Sequence, residues 1–392
     1  MAVMKKVYLD HASTTPLDPR VLKVMMPYLK DSFGNPGSLH SYGVESKRAV
    51  ERARRSVADL FGGHPDEIVF TSGGTESNNL AITGLIRKLE ISHPLSSMHV
   101  VTTAIEHSSV LEVLRVYERK GLRVTYVPVD VRGMVNLSLL KKALCSETVM
   151  VSVMHANNEI GTVQPIREIA RIVRHSLRTI RYGLVDKPIV HVDASQTPLY
   201  CDVNVGRLGV DLVTIDSQKM YGPKGVGALF VRRGIELEPL IFGGGQERGI
   251  RGGTENVPGI VGMGRAVALA LAERESEVKR LTALRKTFLT RFFKIYPSAA
   301  LNGDHHERLP GNINVSIPDV DTEFLMLQLD AKGLCVSTKS TCVRDQDDSY
   351  VVSALATEPW RARHSLRISF GRTTTADGVR KFLSVLKSIA QR

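Results

Sequence analysis

The sequence contains few cysteines, and their spacing does not form a metal-binding or redox pair. Four cysteines occur among 392 residues, and no two of them make a CxxC pattern. This argues against a disulfide scaffold and predicts reduced thiols in a cytoplasmic protein.

Long hydrophobic runs are also missing. Arg265 interrupts the best candidate for a membrane-spanning segment, which is residues 257–271. The polar segment 9–16 begins too early for the apolar stretch of a signal peptide to precede it. We therefore expect a protein without a membrane segment.

The basic clusters lack aromatic residues. The net charge is +12, and positive side chains gather in residues 47–55, 167–181 and 361–372. Such a surface could attract nucleic acid or acidic proteins. A nucleic-acid platform, however, interleaves aromatic residues with its charges, and the first two clusters fit the solvated faces of amphipathic helices. We expect no direct nucleic-acid binding.

Helix and strand patterns alternate through the first two thirds of the chain and then change. Short apolar runs followed by amphipathic stretches predict an α/β fold with a mostly parallel sheet covered by helices on both faces. From about residue 260, a long helical stretch and fewer strands predict a smaller α+β domain. We therefore expect a large domain over residues 16–259, a small domain over residues 260–392, and an N-terminal segment, residues 1–15, packed with the small domain.

Two neighbouring apolar runs end in a carboxylate and a lysine. Residues 189–193 end at Asp193, and residues 212–215 are followed by Lys219. In open parallel sheets, binding groups gather at the carboxyl ends of the strands. A lysine there can form a Schiff base with the aldehyde of pyridoxal phosphate, and a carboxylate can keep its pyridinium nitrogen protonated.

A glycine-containing turn supplies a candidate phosphate site. A strand ends at Thr71, Gly73 and Gly74 follow, and Thr75 stands where a helix should begin. Backbone N–H groups at a helix N-terminus attract anions, and glycine lets an anion come close. The alternative is an ordinary turn with Thr75 as the N-cap. Because Asp193 and Lys219 are also present, the phosphate interpretation is favoured.

Several further residues carry candidate chemistry. His107 could stack on a cofactor ring and move protons, and Asn158 and Gln196 could donate to its phenolic oxygen. Each could equally be an ordinary sheet-edge or loop residue. Residues 243–254 form a second glycine-rich, cationic loop. Cys342 lies in a polar segment with nearby cationic side chains, which would favour its thiolate.

These motifs together resemble the NifS/IscS-type cysteine desulfurases, pyridoxal phosphate enzymes of aminotransferase fold type I, class V. The resemblance covers residues 8–386 and implies a seven-stranded sheet in the large domain. The matching segments are residues 9–16, 33–36, 70–76, 106–107, 154–161, 191–196, 219–225, 243–254 and 365–367.

The resemblance implies a role for each matching residue. Those assigned to the cofactor are Lys219 for the covalent link, Gly74, Thr75, Ser217, Gln218 and Thr254 for phosphate, His107 for ring stacking, Asp193 for the pyridinium, and Asn158 and Gln196 for the phenolic oxygen. Asn35 and Arg367 would hold the substrate carboxylate. Lys219 and His107 would move protons, and Cys342 would become the persulfide.

The same resemblance implies partners. It predicts a homodimer in which Thr254 reaches across to the partner's site, L-cysteine as substrate, and a sulfur acceptor such as an iron–sulfur scaffold protein. No resident metal is implied, apart from a transient contact of Cys342 with an iron–sulfur cluster. Gln218 departs from the family, which usually has histidine at this position, and its amide can still donate to phosphate.

Two enzymatic alternatives and one non-enzymatic alternative stay open from the sequence. Selenocysteine lyase and aminotransferase activity would use the same lysine and carboxylate. A basic RNA-binding or scaffold protein could retain the fold without catalysis.

Overall fold

In the computed structural model, which describes residues 6–338 and 348–391, short strands alternate with helices along most of the chain. The strands are β1 (Val7–Tyr8), β2 (Ile68–Thr71), β3 (His99–Thr103), β4 (Arg123–Val127), β5 (Thr148–Ser152), β6 (Ile189–Asp193), β7 (Leu212–Asp216), β8 (Gly227–Val231), β9 (Ala300–Leu301), β10 (Asn312–Ser316), β11 (Leu334–Cys335) and β12 (Ser365–Ser369).

The helices surround these strands. They are α1 (Pro19–Lys30), α2 (Ser41–Phe61), α3 (Gly74–Glu90), α4 (Ser108–Glu118), α5 (Leu137–Ala143), α6 (Ile166–Ser176), α7 (Val205–Leu208), α8 (Val257–Ile295), α9 (Thr322–Ala331), α10 (Tyr350–Ser353), α11 (Trp360–Arg363) and α12 (Ala376–Ala390). Within the described residues, no helix is both long and apolar enough to cross a membrane.

A seven-stranded sheet forms the centre of the larger part of the molecule. Its strand order is β2-β8-β7-β6-β5-β3-β4, in which β8 runs antiparallel to β2 and β7 and the other pairs are parallel. All five residues of β5, β6, β7 and β8 are buried, as expected for a sheet covered on both faces. The predicted fold class is confirmed.

Two apolar clusters hold the helices against this sheet. Because side chains alternate along a strand, Val213 and Ile215 pack into the cluster with α2, α6 and α8, and Leu212 packs into the opposite cluster with α3 and α4. The parallel strands therefore end together at one edge, where Asp193 and Asp216 are the last residues of β6 and β7.

The smaller part of the molecule is built on a three-stranded antiparallel sheet, in the order β12-β10-β9. Its core contains Phe288, Phe292 and Phe382, with the ring of Phe288 lying 5.6 and 5.7 Å from the other two rings. Phe288 and Phe292 belong to α8, a helix of 39 residues that spans about 58 Å at 1.5 Å per residue. Helix α8 also packs against α1 and α2.

The N-terminal segment joins the smaller part before it reaches the larger sheet. Strand β1 pairs in parallel with β11, and Asp10 forms a β-bridge with Ser369 of β12. The chain then passes Gln218, whose backbone carbonyl accepts a hydrogen bond from the N–H of Thr15 at 3.0 Å. Residues 10–15 thus lie between the two sheets.

Buried histidines make the stability of this fold sensitive to acid. Burial lowers the pKa of four imidazoles to about 4, because it disfavours the charged form; they are His11, His99, His155 and His191. In the unfolded chain a histidine titrates near pH ~6.5. The unfolded chain therefore binds more protons between about pH 6.5 and 4, and the stability present above this window is lost as the pH falls through it.

We expect the urea midpoint of unfolding to fall on acidification from about pH 7 to about pH 5. A His155→Gln variant should lose part of this dependence, whereas a variant of the exposed His305, His305→Gln, should retain all of it. Equal pH dependence of unfolding in the two variants would contradict the assignment.

Candidate active site

A cavity of about 180 Å³ opens at the carboxyl edge of the large sheet. Nine of the residues singled out in the sequence line it: Gly74, Thr75, His107, Asn158, Asp193, Gln196, Gln218, Lys219 and Arg367. They come from five separate stretches of the large sheet and from one strand of the smaller one. The folded chain therefore collects most of the predicted candidates around one volume.

Lys219 lies just after β7, on a short turn that begins at Ser217. Its Nζ atom donates to the carbonyl oxygens of Ala12 at 2.9 Å and Ser13 at 2.5 Å. Two residues on, Tyr221 has a φ of +62°, a left-handed conformation, and its N–H donates to the Thr15 hydroxyl at 2.8 Å. The N-terminal segment thus holds both the lysine head group and the backbone behind it.

A chain of hydrogen bonds connects Asp193 with His107. Asn78 Nδ2 donates to Asp193 Oδ2 at 2.8 Å and to the Ser109 hydroxyl at 2.8 Å. The Ser109 hydroxyl also lies 2.8 Å from Nδ1 of His107. Ser195 donates to the other carboxylate oxygen of Asp193 through its N–H at 2.9 Å and its hydroxyl at 2.6 Å. These bonds fix the carboxylate and the imidazole ring in place.

Glu106 stands behind His107 and is completely buried. Burial raises the pKa of this carboxyl group to about 8, and the nearby negative charge of Asp193 acts in the same direction. Its Oε1 accepts from the Thr103 hydroxyl at 2.6 Å and from the N–H of Met154 at 3.0 Å. Glu106 is therefore mostly protonated and neutral at neutral pH.

Glycines pack closely together at the turn before α3, beside the cavity. A methyl group on Gly227 would come within 2.6 Å of the Gly73 carbonyl carbon, and Gly73 itself has a φ of +153°. Gly74 begins α3 and is buried. The close packing of these glycines brings the helix N-terminus, with its free N–H groups, up to the cavity.

Arg367 of β12 lies 1% exposed and points into the same cavity from the smaller sheet. Its guanidinium donates to Asp10 Oδ1 at 2.9 Å, to the Ser13 hydroxyl at 2.5 Å and to the carbonyl oxygen of Asn158 at 3.3 Å. Among the described residues, neither its Nε atom nor Oδ1 of Asn158 has a hydrogen-bond partner, and both atoms are buried. Both residues line the cavity.

Three of the predicted site residues that the structure describes are not among those that line the cavity. Asn35 is exposed, and its side chain accepts from the N–H of Gly37 at 2.9 Å. Thr254 is also exposed. The Ser217 hydroxyl lies against Gly222, where an added methyl group would meet it at 2.1 Å. Cys342 lies outside the described residues.

The cavity also contains polar residues that sequence reasoning missed. They are Ser13, Asn78, Ser109, Ser195 and Asp216. Asn78 follows Gly74 by one helical turn, a spacing that could have indicated it. Asp216 ends an apolar strand just as Asp193 does, so a carboxylate at the end of a buried strand could have indicated it as well. The remaining serines carry no pattern that separates them from ordinary turn residues.

The chemistry of this cavity fits pyridoxal phosphate. One end has a helix N-terminus and the hydroxyl of Thr75, which suits a phosphate group. A buried carboxylate, Asp193, suits a pyridinium nitrogen, and a lysine lies at the cavity wall. The guanidinium of Arg367, whose Nε has no partner in the described part of the chain, suits a substrate carboxylate.

The comparisons with known proteins agree with this chemistry. The family model for class-V aminotransferases matches residues 7–382, so the chain belongs to the class-V aminotransferase family. Cysteine desulfurase IscS from Dictyoglomus turgidum is 44% identical over 389 residues, which cover 99% of this chain and 95% of that protein. The resemblance identified from the motifs is confirmed.

Solved structures point to the same class. A NifS-like protein superposes with a TM-score of 0.90 and 36% identity over 98% of this chain and 99% of its own. A structure described as SspA in complex with cysteine superposes with a TM-score of 0.78 and 33% identity, covering 93% of this chain and 99% of that one.

Proposed function

We propose that this protein is a pyridoxal phosphate-dependent cysteine desulfurase. It converts L-cysteine and an acceptor thiol into L-alanine and a persulfide. The observation that carries the proposal is the meeting of Lys219, Asp193 and Arg367 at one cavity, since these residues supply the covalent, electronic and carboxylate-binding functions that the reaction needs. The identity to proteins named cysteine desulfurase supports it.

The cofactor supplies an electron sink that stabilises negative charge on the bound amino acid. Asp193 would pair with its pyridinium nitrogen, and Asn78 and Ser195 orient the two oxygens of this carboxylate. His107, held by Ser109, would lie against the ring. Asn158 and Gln196 would donate hydrogen bonds to the phenolic oxygen. Gly74, Thr75 and the α3 N-terminus hold the phosphate, together with Thr254 of a second subunit.

Lys219 and His107 move the protons of the reaction. The amine of Lys219 would take a proton from the bound amino acid and return one to the new methyl group. The carbonyl oxygens of Ala12 and Ser13 keep the ammonium group oriented after it has gained that proton. Arg367, clamped by Asp10, holds the substrate carboxylate, and we assign Asn35 to the same role.

Cys342 is the proposed sulfur acceptor. Its thiolate attacks the substrate sulfur, the substrate's carbon–sulfur bond breaks, and a sulfur–sulfur bond forms. The methylene carbon gains a proton, so that alanine leaves and Cys342 carries the persulfide. Burial raises the pKa of Cys201 to about 12, and burial also raises the pKa of Cys335. These two thiols are therefore poor nucleophiles at neutral pH, which supports Cys342.

We further propose a homodimer that acts in the cytoplasm. Thr254 and Asn35 are both exposed in the single chain, and phosphate and carboxylate roles for them would require a second copy that closes the sites. The persulfide would pass to an acceptor protein such as an iron–sulfur scaffold.

The proposal is tested by incubating the purified holoprotein with L-cysteine and a reducing thiol, and by measuring alanine and sulfide. We expect equal amounts of the two products. Selenocysteine is tested in parallel, and turnover of selenocysteine alone would replace the proposal with a lyase. Amino-group transfer to a keto acid without sulfide would indicate an aminotransferase, and a colourless, inactive protein would indicate a non-catalytic scaffold.

A further inference from the structure

Asp216 brings a carboxylate to the end of the cavity where α3 begins. It is the last residue of β7 and lies 6% exposed beside Gly74. A methyl group built on Gly74 would lie 3.4 Å from Asp216 Oδ2 and 3.0 Å from the Ser195 hydroxyl. The carboxylate therefore borders the volume that the proposed function assigns to phosphate.

The hydrogen-bond partners of this carboxylate include both amide groups of Gln218. Oδ1 of Asp216 accepts from the backbone N–H of Gln218 at 3.1 Å, and Oδ2 accepts from its side-chain amide at 3.1 Å. These amides are neutral, so they orient the carboxylate without cancelling its charge. The side-chain amide of Gln218, which the family resemblance assigns to phosphate, donates to Asp216.

A carboxylate in this position opposes the binding of phosphate. A phosphate ester carries a charge of about −1.5 to −2 at neutral pH, and like charges close together in a partly buried site repel each other more strongly than in water. The α3 N-terminus and the Thr75 hydroxyl attract the same group. Lys219 and Arg367 also line the cavity. Their attraction for phosphate is the same in the wild type and in variants of Asp216.

We infer that Asp216 weakens the binding of the cofactor's phosphate group and thereby sets how readily the cofactor leaves this protein. The inference rests on the proposed function, because it concerns the same cavity and the same cofactor. It makes Asp216 a specificity-determining residue, since repulsion of phosphate distinguishes pyridoxal phosphate from pyridoxal.

Equilibrium affinity for two ligands tests this inference. The dissociation constants of pyridoxal phosphate and of pyridoxal, which lacks the phosphate, are measured by absorbance titration of cofactor-depleted protein. In Asp216→Asn we expect pyridoxal phosphate to bind at least tenfold more tightly, and pyridoxal to change less than twofold. Inorganic phosphate alone should raise the melting temperature of depleted Asp216→Asn more than that of the depleted wild type.

Two further variants separate charge from structure. Asn and Ser both serve as N-caps, so Asp216→Ser should keep the turn that Asp216 caps and should also bind pyridoxal phosphate more tightly. Asp321 caps α9 with its carboxylate away from the cavity, and Asp321→Asn should leave both dissociation constants unchanged.

The outcomes distinguish the inference from the proposed function. If the wild type binds both ligands but Asp216→Asn binds pyridoxal phosphate equally or more weakly, the inference is wrong and the proposed function stands. A parallel change for both ligands would also overturn it, because the effect would then not involve phosphate. If the wild type binds neither ligand, the proposed function itself fails.

Discussion

A Lys219→Ala variant is expected to lose turnover of cysteine by roughly 10³-fold or more, because the same amine holds the cofactor and moves protons. Borohydride treatment of the wild-type holoprotein should fix the cofactor to the peptide that contains Lys219, and the variant should carry no fixed cofactor. The measurements are alanine formation and the mass of the borohydride-treated peptides.

The matched control for this variant is Lys224→Ala, which removes an exposed lysine five positions further along the same loop. It should keep the fixed cofactor and nearly full activity. Fixed cofactor in Lys219→Ala, or an equal loss of activity in Lys224→Ala, would contradict the role assigned to Lys219. The hydrogen bonds from Lys219 Nζ to the carbonyl oxygens of Ala12 and Ser13 would then need another explanation.

A Cys342→Ser variant is expected to bind cysteine and to show the absorbance change of the bound substrate, yet to release sulfide about 10²-fold or more slowly, because a hydroxyl cannot accept sulfur as a thiolate does. After turnover by the wild type without a reducing thiol, a reducible mass gain of one sulfur atom should map to the peptide that contains Cys342. Mass spectrometry of alkylated peptides measures this gain.

The other three cysteines provide the matched controls. Burial raises the pKa of Cys201, and partial burial together with the Asp330 carboxylate raises the pKa of Cys335. The Cys145 sulfur lies 3.3 Å from Nδ1 of His99, which begins β3 and therefore stands at the opposite edge of the sheet from Lys219. Serine variants at these three positions should retain sulfide release. A sulfur label on any of them, or full sulfide release by Cys342→Ser, would refute the proposed acceptor.

The fold class was predictable because it depends on local periodicity. Apolar runs such as residues 212–215 and 227–231 are too short for helices and are buried on both faces, and that pattern is typical of a parallel sheet. The antiparallel direction of β8 was not predictable, since strand direction depends on how the chain returns and leaves no mark in the composition of the strand.

Part of the candidate site was also predictable, because several of its residues belong to short local motifs. Asp193 and Lys219 each follow a strand, and Gly74 opens a helix, so their placement at one sheet edge follows from the geometry of parallel strands. The hydrogen bonds of Asn78 to Asp193 and Ser109 were not predictable. They join residues 31 and 115 positions apart in sequence, and only the packing of α3 against the sheet brings them together.

The amino-acid sequence by itself determined the family, the cofactor chemistry and most of the side chains around the cavity, because these depend on residue types at short, fixed spacings. Only the tertiary structure decided which neighbouring groups modify them. It directs Ser217 away from the cavity and Asp216 into it, although the two residues are adjacent. Successive residues at the end of a strand point in opposite directions, and only the register of β7 within the folded sheet determines which of them faces the cofactor site.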